Sequence, residues 1–243
     1  MRAIYEPKGK AKEYCELALN LYTGCPHGCS YCYVPRIMRK SRDEFFFAQP
    51  RLDVITQLKK EVNKYKGKTV FLCFSCDPYP YKHNPFTTIA LEILLSNGVN
   101  VEILTKSGMI SMQDEVLFKV YKEQVNYGAT LTFISSEESK KYEPFAADPK
   151  DRINALFVAH HSGIRTWVSL EPVINTAQTL YLIDETYPFV DEYRVGKLNY
   201  SSIGIYADAT WTSFLIMARE RFKQYGKKYL VKESLKPYLK EAK

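Results

Sequence analysis

Strand-like apolar runs alternate with stretches of helical spacing along most of this 243-residue chain. That alternation restricts the fold more than any other feature. Thr69 to Phe74 is a nearly continuous apolar run, the pattern of a strand buried on both faces in a parallel sheet. Leu17 to Tyr22, Val99 to Thr105, Ala129 to Ile134, Ile164 to Leu170 and Tyr193 to Gly196 read as five further strands. Between them, Arg51 to Tyr65, Pro85 to Ser96, Met109 to Val125, Asp148 to His161 and Ala207 to Tyr225 read as helices. Two carry proline in the first turn, and Asn97-Gly98 and Ser162-Gly163 end two of them. Tyr229 to Val231 is a further short strand candidate. Six βα units in series imply an α/β fold with a parallel sheet, either open or curled into a partial barrel. No linker-like or low-complexity stretch interrupts the series, so one domain spanning 1–243 is expected, with a core of about 17–200 and a helical C-terminal extension of about 206–243.

Sites in such folds lie beyond the carboxyl ends of the strands. Cys25, Cys29 and Cys32 fall there, just after the first strand, in the run Gly24-Cys25-Pro26-His27-Gly28-Cys29-Ser30-Tyr31-Cys32-Tyr33. Asp77, Lys106 and Ser135 follow the second, third and fourth strands onto the same rim. Three thiolates spaced C-x3-C-x2-C can hold three irons of a [4Fe–4S] cluster and leave the fourth open to a ligand. Structural zinc sites instead tend to use two ligand pairs. His27, or the pair Cys73 and Cys76, could complete such a site. A non-catalytic iron–sulfur or zinc binding module is therefore the alternative from a different class.

The chain has no apolar run of the roughly 20 residues that a membrane span needs. Its N-terminus lacks the apolar segment of a secretory signal, so a cytoplasmic, reducing location without structural disulfides is expected. The formal charge of +7 permits a polyanionic partner. Arg36, Arg39, Lys40 and Arg42 follow the cysteines directly and are candidates for substrate contact. A longer basic run, from Arg219 through Lys232 and Lys236 to Lys240 and Lys243, suits the solvated side of a helix.

The cysteine motif, with an aromatic residue before its last cysteine, resembles that of the radical S-adenosylmethionine (SAM) enzymes. Four segments extend the likeness to the spore photoproduct lyase branch of that superfamily, over about residues 17–200. They are Asn20 to Cys29, Ser75-Cys76-Asp77-Pro78-Tyr79, Leu104-Thr105-Lys106-Ser107, and Tyr142 to Arg152. The resemblance implies a partial (β/α)6 TIM-type barrel, with a [4Fe–4S] cluster held by Cys25, Cys29 and Cys32. The cluster would cleave SAM reductively to a 5′-deoxyadenosyl radical, which abstracts hydrogen from a substrate. It implies further that Tyr31 contacts the adenine through its backbone, that Ser75 and Asp77 bind SAM's amino group, and that Lys106 pairs with its carboxylate. Thr132 or Ser135 would reach the ribose, and Cys76, with Cys73 as rival, would donate a hydrogen atom to a product radical. A flavodoxin- or ferredoxin-type electron donor and a nucleic-acid or nucleotide substrate follow, with a peptide or small molecule as the alternative. Spore lyases are longer, and no segment like their lesion-entering element is evident, so thymine-dimer repair is not expected.

Overall fold

The computed structural model of the chain describes residues 2–83, 85–198 and 207–239. Lys240 and Lys243 of the basic run, and the expected boundary near 200–206, lie outside them. Ten strands are described: β1 Ile4–Tyr5, β2 Ala18–Leu19, β3 Tyr22–Thr23, β4 Gln49–Pro50, β5 Thr69–Leu72, β6 Asn100–Thr105, β7 Val125–Thr130, β8 Arg165–Val173, β9 Glu192–Lys197 and β10 Lys228–Val231. The helices are α1 Val34–Ile37, α2 Arg42–Phe46, α3 Leu52–Glu61, α4 Pro85–Ser96, α5 Glu115–Val120, α6 Ser136–Tyr142, α7 Pro149–His161, α8 Thr176–Thr186 and α9 Asp208–Gln224.

Eight strands form one sheet in the order β1-β2-β5-β6-β7-β8-β9-β10. All neighbours run parallel except β1, which pairs antiparallel with β2. The sheet is an open α/β barrel of the partial TIM type, with β1 and β10 at its two free edges. The helical extension expected after 206 carries α9 and then β10, which adds a strand to the sheet beside β9.

The two faces of the sheet differ in content. Its outer face packs against the helices through the large apolar core, which includes Val70, Leu72, Val101, Ile103, Ala155, Leu156, Ile183 and Phe222. Its inner face holds a smaller cluster of Ala18, Phe71 and Trp167, with Tyr14, Phe74 and Leu104 against it. Gly128 of β7 stands opposite Trp167 in register. A Cβ at Gly128 would come within 2.3 Å of the indole, so the inner layer needs glycine there to accommodate the ring.

Local chemistry fixes several boundaries. Asp148 caps α7 by accepting from Lys150 N–H at 3.0 Å, and Pro149 fills the first helical position. Ser41 and Glu44 form a reciprocal capping box on α2.

The expectations depart from the structure in several places. The fourth strand lies at Val125–Thr130, four residues earlier than expected. Its composition, Val-Asn-Tyr-Gly-Ala-Thr, hides it, because the polar and small residues face the crowded barrel interior. Met109 to Val125 splits into a 3-10 turn over Gly108–Asp114 and the short α5. The first strand also divides. Only β2 joins the main sheet, while β3 leaves to pair with β4 and carries the chain to the cysteines. Helix α8 fills the stretch between the fifth and sixth strands, to which no helix range was assigned.

Candidate active site at the barrel rim

Gly24 turns the chain from β3 into the cysteine loop at φ +91. A Cβ there would sit 2.2 Å from the Phe47 carbonyl oxygen, so only glycine allows the loop to pass this close. Cys25 N–H then donates to Phe45 O at 2.8 Å, and Ser30 N–H to Tyr142 O at 2.8 Å. Arg42 reaches back from α2, donating to the carbonyls of Cys29 at 3.0 Å and Ser30 at 2.6 Å. Its guanidinium is therefore committed to holding the loop and is not available for the substrate contact expected of it. Arg36, Arg39 and Lys40 are exposed.

The three cysteines line one cavity of about 220 Å³ with Tyr31, Tyr33, Cys73, Ser75, Cys76, Asp77 and Lys106. Burial pushes all three thiols above the ordinary range, Cys29 to about 12. A thiol so placed ionises only beside strong positive charge, which metal centres supply. His27, weighed as a zinc ligand, lines the same cavity, and its Nε2 lies 3.0 Å from Asp77 Oδ2. Among the described residues, no three His, Cys, Asp or Glu side chains converge tightly enough to enclose a single metal ion. Three thiols lining one cavity can supply three of the four ligands of a [4Fe–4S] cluster.

Asp77 is the best-connected group on the rim. Oδ1 accepts from Tyr79 N–H at 2.8 Å and Thr105 O–H at 2.7 Å, and Oδ2 accepts from Lys106 N–H at 2.9 Å. Burial by itself would raise its pKa, but His27 and these donors outweigh burial and hold it at about 2. Both oxygens are occupied within the protein, so the carboxylate ties the end of β5 to the end of β6 and to the cysteine loop.

A second buried network backs the loop. Glu143 and Arg152 pair at 2.6 Å with side chains 0% and 1% exposed. The Tyr31 hydroxyl donates to Glu143, and Lys106 Nζ stands 4.0 Å from the same carboxylate. Burial opposes ionisation of Glu143, but Arg152 and Lys106 outweigh it and leave its pKa lowered. Arg152 also donates to the Ala147 carbonyl at 2.7 Å and the Thr130 carbonyl at 3.1 Å. The segment Tyr142 to Arg152, marked in the sequence with no role assigned, thus forms the wall behind the cysteines.

Thr132 and Ser135 do not line the cavity. Thr132 donates to Glu143 at 3.2 Å, and Ser135 caps α6 by accepting from Glu138 N–H at 3.3 Å. Thr130, at the end of β7, lines the cavity instead. Cys73 and Cys76 both line it, with Cys73 at φ +67 and its sulfur 3.5 Å from the Leu21 amide nitrogen.

A family model described as the Radical SAM superfamily matches residues 19–181. The chain belongs to this superfamily. A radical SAM protein uses a [4Fe–4S] cluster and SAM, and those are its cofactors. It is 28% identical over 189 residues to an uncharacterized protein of Methanocaldococcus jannaschii, covering 74% of this chain and 70% of that one. It is 29% identical over 168 residues to an uncharacterized protein of Acidianus two-tailed virus, covering 64% of this chain and 55% of the relative. The chain thus spans only about half the length of the viral protein. A spore photoproduct lyase mutant with bound AdoMet and dinucleoside spore photoproduct superposes with TM-score 0.68 at 15% identity, over 93% of this chain and 78% of the lyase. Streptococcus suis SuiB bound to S-adenosylmethionine superposes with TM-score 0.68 at 13% identity, over 92% of this chain and 49% of SuiB. These structures share the radical SAM protein's fold.

Proposed function

We propose that Cys25, Cys29 and Cys32 hold the cluster and that the protein is a radical SAM enzyme acting on a nucleotide or nucleic acid. The observation that carries the chemistry is that the three cysteines and Lys106 line one cavity. When bound, the cluster supplies the electron that cleaves SAM to methionine and a 5′-deoxyadenosyl radical.

The surrounding residues take the other tasks. Lys106 pairs with SAM's carboxylate, as a charge-assisted donor should. Tyr31, pinned by Glu143, presents its backbone to the adenine. Ser75 serves the amino group, and Asp77 acts as a positioning residue that fixes the Lys106 backbone. Cys76 donates a hydrogen atom to the product radical. The exposed Arg36, Arg39 and Lys40, beside the cysteine loop, favour a polyanionic substrate. A flavodoxin- or ferredoxin-type protein supplies the electron.

Anaerobic reconstitution followed by dithionite reduction tests the reading. About four irons per chain and reductive formation of 5′-deoxyadenosine are expected. Cys29→Ala is expected to lose both. A loaded, reduced protein that never cleaves SAM would refute the enzyme assignment. Cys76→Ala is expected to retain 5′-deoxyadenosine formation while product yield falls; loss of cleavage itself would remove Cys76 from the quenching role.

A further inference from the structure

A second group of cysteines stands outside the cluster loop. Cys73 and Cys76 are spaced C-x2-C where β5 ends, ahead of α4, and both are free thiols. Between a strand and a helix, that spacing is the one dithiol redox motifs use. Both residues line the cavity that Cys25, Cys29 and Cys32 share. The Cys73 side chain is a hydrogen-bond partner of the Cys76 thiol. Cys15, the remaining cysteine, donates to Thr69 O at 3.3 Å, at the opposite end of β5. It has no place in the pair.

The turn that carries the pair is fixed on both sides. Cys73 takes φ +67, a left-handed conformation that a residue with a side chain keeps only where its surroundings impose it. Here Cys73 N–H donates to Leu19 O at 2.9 Å, and the Cys73 sulfur accepts from Leu21 N–H at 3.5 Å. Ser75 N–H donates to Asn20 Oδ1 at 3.2 Å. Asp77, directly after Cys76, is held by Tyr79, Thr105 and Lys106. The backbone before, between and after the two thiols is thus anchored, and their side chains are held within contact.

Burial, with Cys73 beside it, holds the Cys76 thiol well above the ordinary range. Such a sulfur keeps its hydrogen at neutral pH, which slows its attack on other disulfides. The same property favours the oxidised pair once it has formed, because no stabilised thiolate draws it back. Two touching thiols that open onto a cavity and resist ionisation suit slow closure by a small reagent. They do not suit fast exchange with a protein surface.

We propose that Cys73 and Cys76 form a reversible disulfide, closed by a small-molecule disulfide that enters the cavity and reopened by a small dithiol. One protein sulfur attacks the reagent's S–S bond, forms a mixed disulfide and releases one thiol. The other protein sulfur then displaces the second half. Two protein S–H bonds are lost and one S–S bond forms. The reagent's S–S bond is reduced, and its two released thiols carry away the two protons. Closure removes the hydrogen that Cys76 would give to a product radical. On the reading of this protein as a radical SAM enzyme with Cys76 as donor, the closed pair cannot quench, which places that step under redox control.

The test exposes the reconstituted, iron-loaded protein to excess bis(2-hydroxyethyl) disulfide under anaerobic conditions. Acid quenching, alkylation and peptide mass spectrometry then locate every thiol, and iron is measured in the same sample. Wild type is expected to lose alkylation at Cys73 and Cys76 together, with the peptide lighter by two hydrogen atoms and the iron retained. Dithiothreitol is expected to restore both thiols. In Cys73→Ser the Cys76 sulfur should stop at the mixed disulfide, and in Cys76→Ser the Cys73 sulfur should do the same. Circular dichroism shows whether each variant folds, and the wild-type map decides closure without them. Retained alkylation at both sulfurs of wild type overturns the pair. So do mixed disulfides at both without closure, a bond from either to Cys15 or a loop cysteine, or closure confined to chains that have lost iron. Formation of 5′-deoxyadenosine by untreated, reduced wild type is measured separately. Its absence would defeat the enzyme reading while the thiol map still decides the pair.

Discussion

At the scale of single residues, Asp77 shows how the rim is held. Its carboxylate accepts from three elements, and its pKa falls from the ordinary 3.8 to about 2 because His27 and the amide donors outweigh the cost of burial. A depressed carboxylate stabilises the fold at pH above its unfolded value and loses that contribution as pH falls through its folded value. Wild-type stability is therefore expected to drop by about 2 kcal/mol between roughly pH 4 and pH 2 from this group. Asp77→Asn should flatten that part of the profile and lower stability at neutral pH by a similar amount. Urea denaturation across the range checks both. The cysteines, Asp77 and Lys106 were all legible as rim residues, because each follows a recognisable apolar run. The partnerships were not. His27 lies 50 residues before Asp77, and Tyr31 meets Glu143 across 112 residues, separations that local patterning does not register.

At the scale of elements, the cysteine loop depends on a turn that admits no side chain. Gly24→Ala would place a Cβ within 2.2 Å of Phe47 O at a φ of +91. The chain must then shift, displacing β3 from β4 and the first cysteine with it. The expected cost is about 2 kcal/mol or more. Iron content after reconstitution should fall well below the wild-type value, and calorimetry and iron analysis read the two effects independently. Helices with proline starts and glycine stops, such as α4 and α7, were readable from end to end. Strand β7 was not, because its glycine serves Trp167 on a neighbouring strand and not its own ladder. The 3-10 turn before α5 was hidden for a related reason. Asp114 accepts from Tyr79 at 2.9 Å and from Thr88 at 2.6 Å, tertiary bonds that bend what local spacing would continue as a helix.

At the scale of the whole molecule, β1 and β10 leave the barrel open along one side, and the N-terminal segment meets the C-terminal one there. Glu13 accepts from Glu233 N–H at 3.0 Å across 220 residues. The bond is exposed, so Glu13→Ala is expected to change global stability by no more than about 0.5 kcal/mol. Amide exchange should nevertheless quicken over residues 9–14 and near Glu233, as local opening becomes easier. Exchange mass spectrometry that finds both segments unchanged would show that the bond does not secure them.

The anchoring of the cysteine loop bears on the order in which the protein matures. The Phe45 carbonyl, the Arg42 guanidinium, the Tyr142 carbonyl and the Glu143–Arg152 pair fix the loop without sulfur taking part. The polypeptide can therefore reach its native shape first and receive iron afterwards, in contrast to small zinc domains that collapse around their ion. A cluster lost to oxygen would leave behind a folded receptacle, ready to be refilled without renewed synthesis.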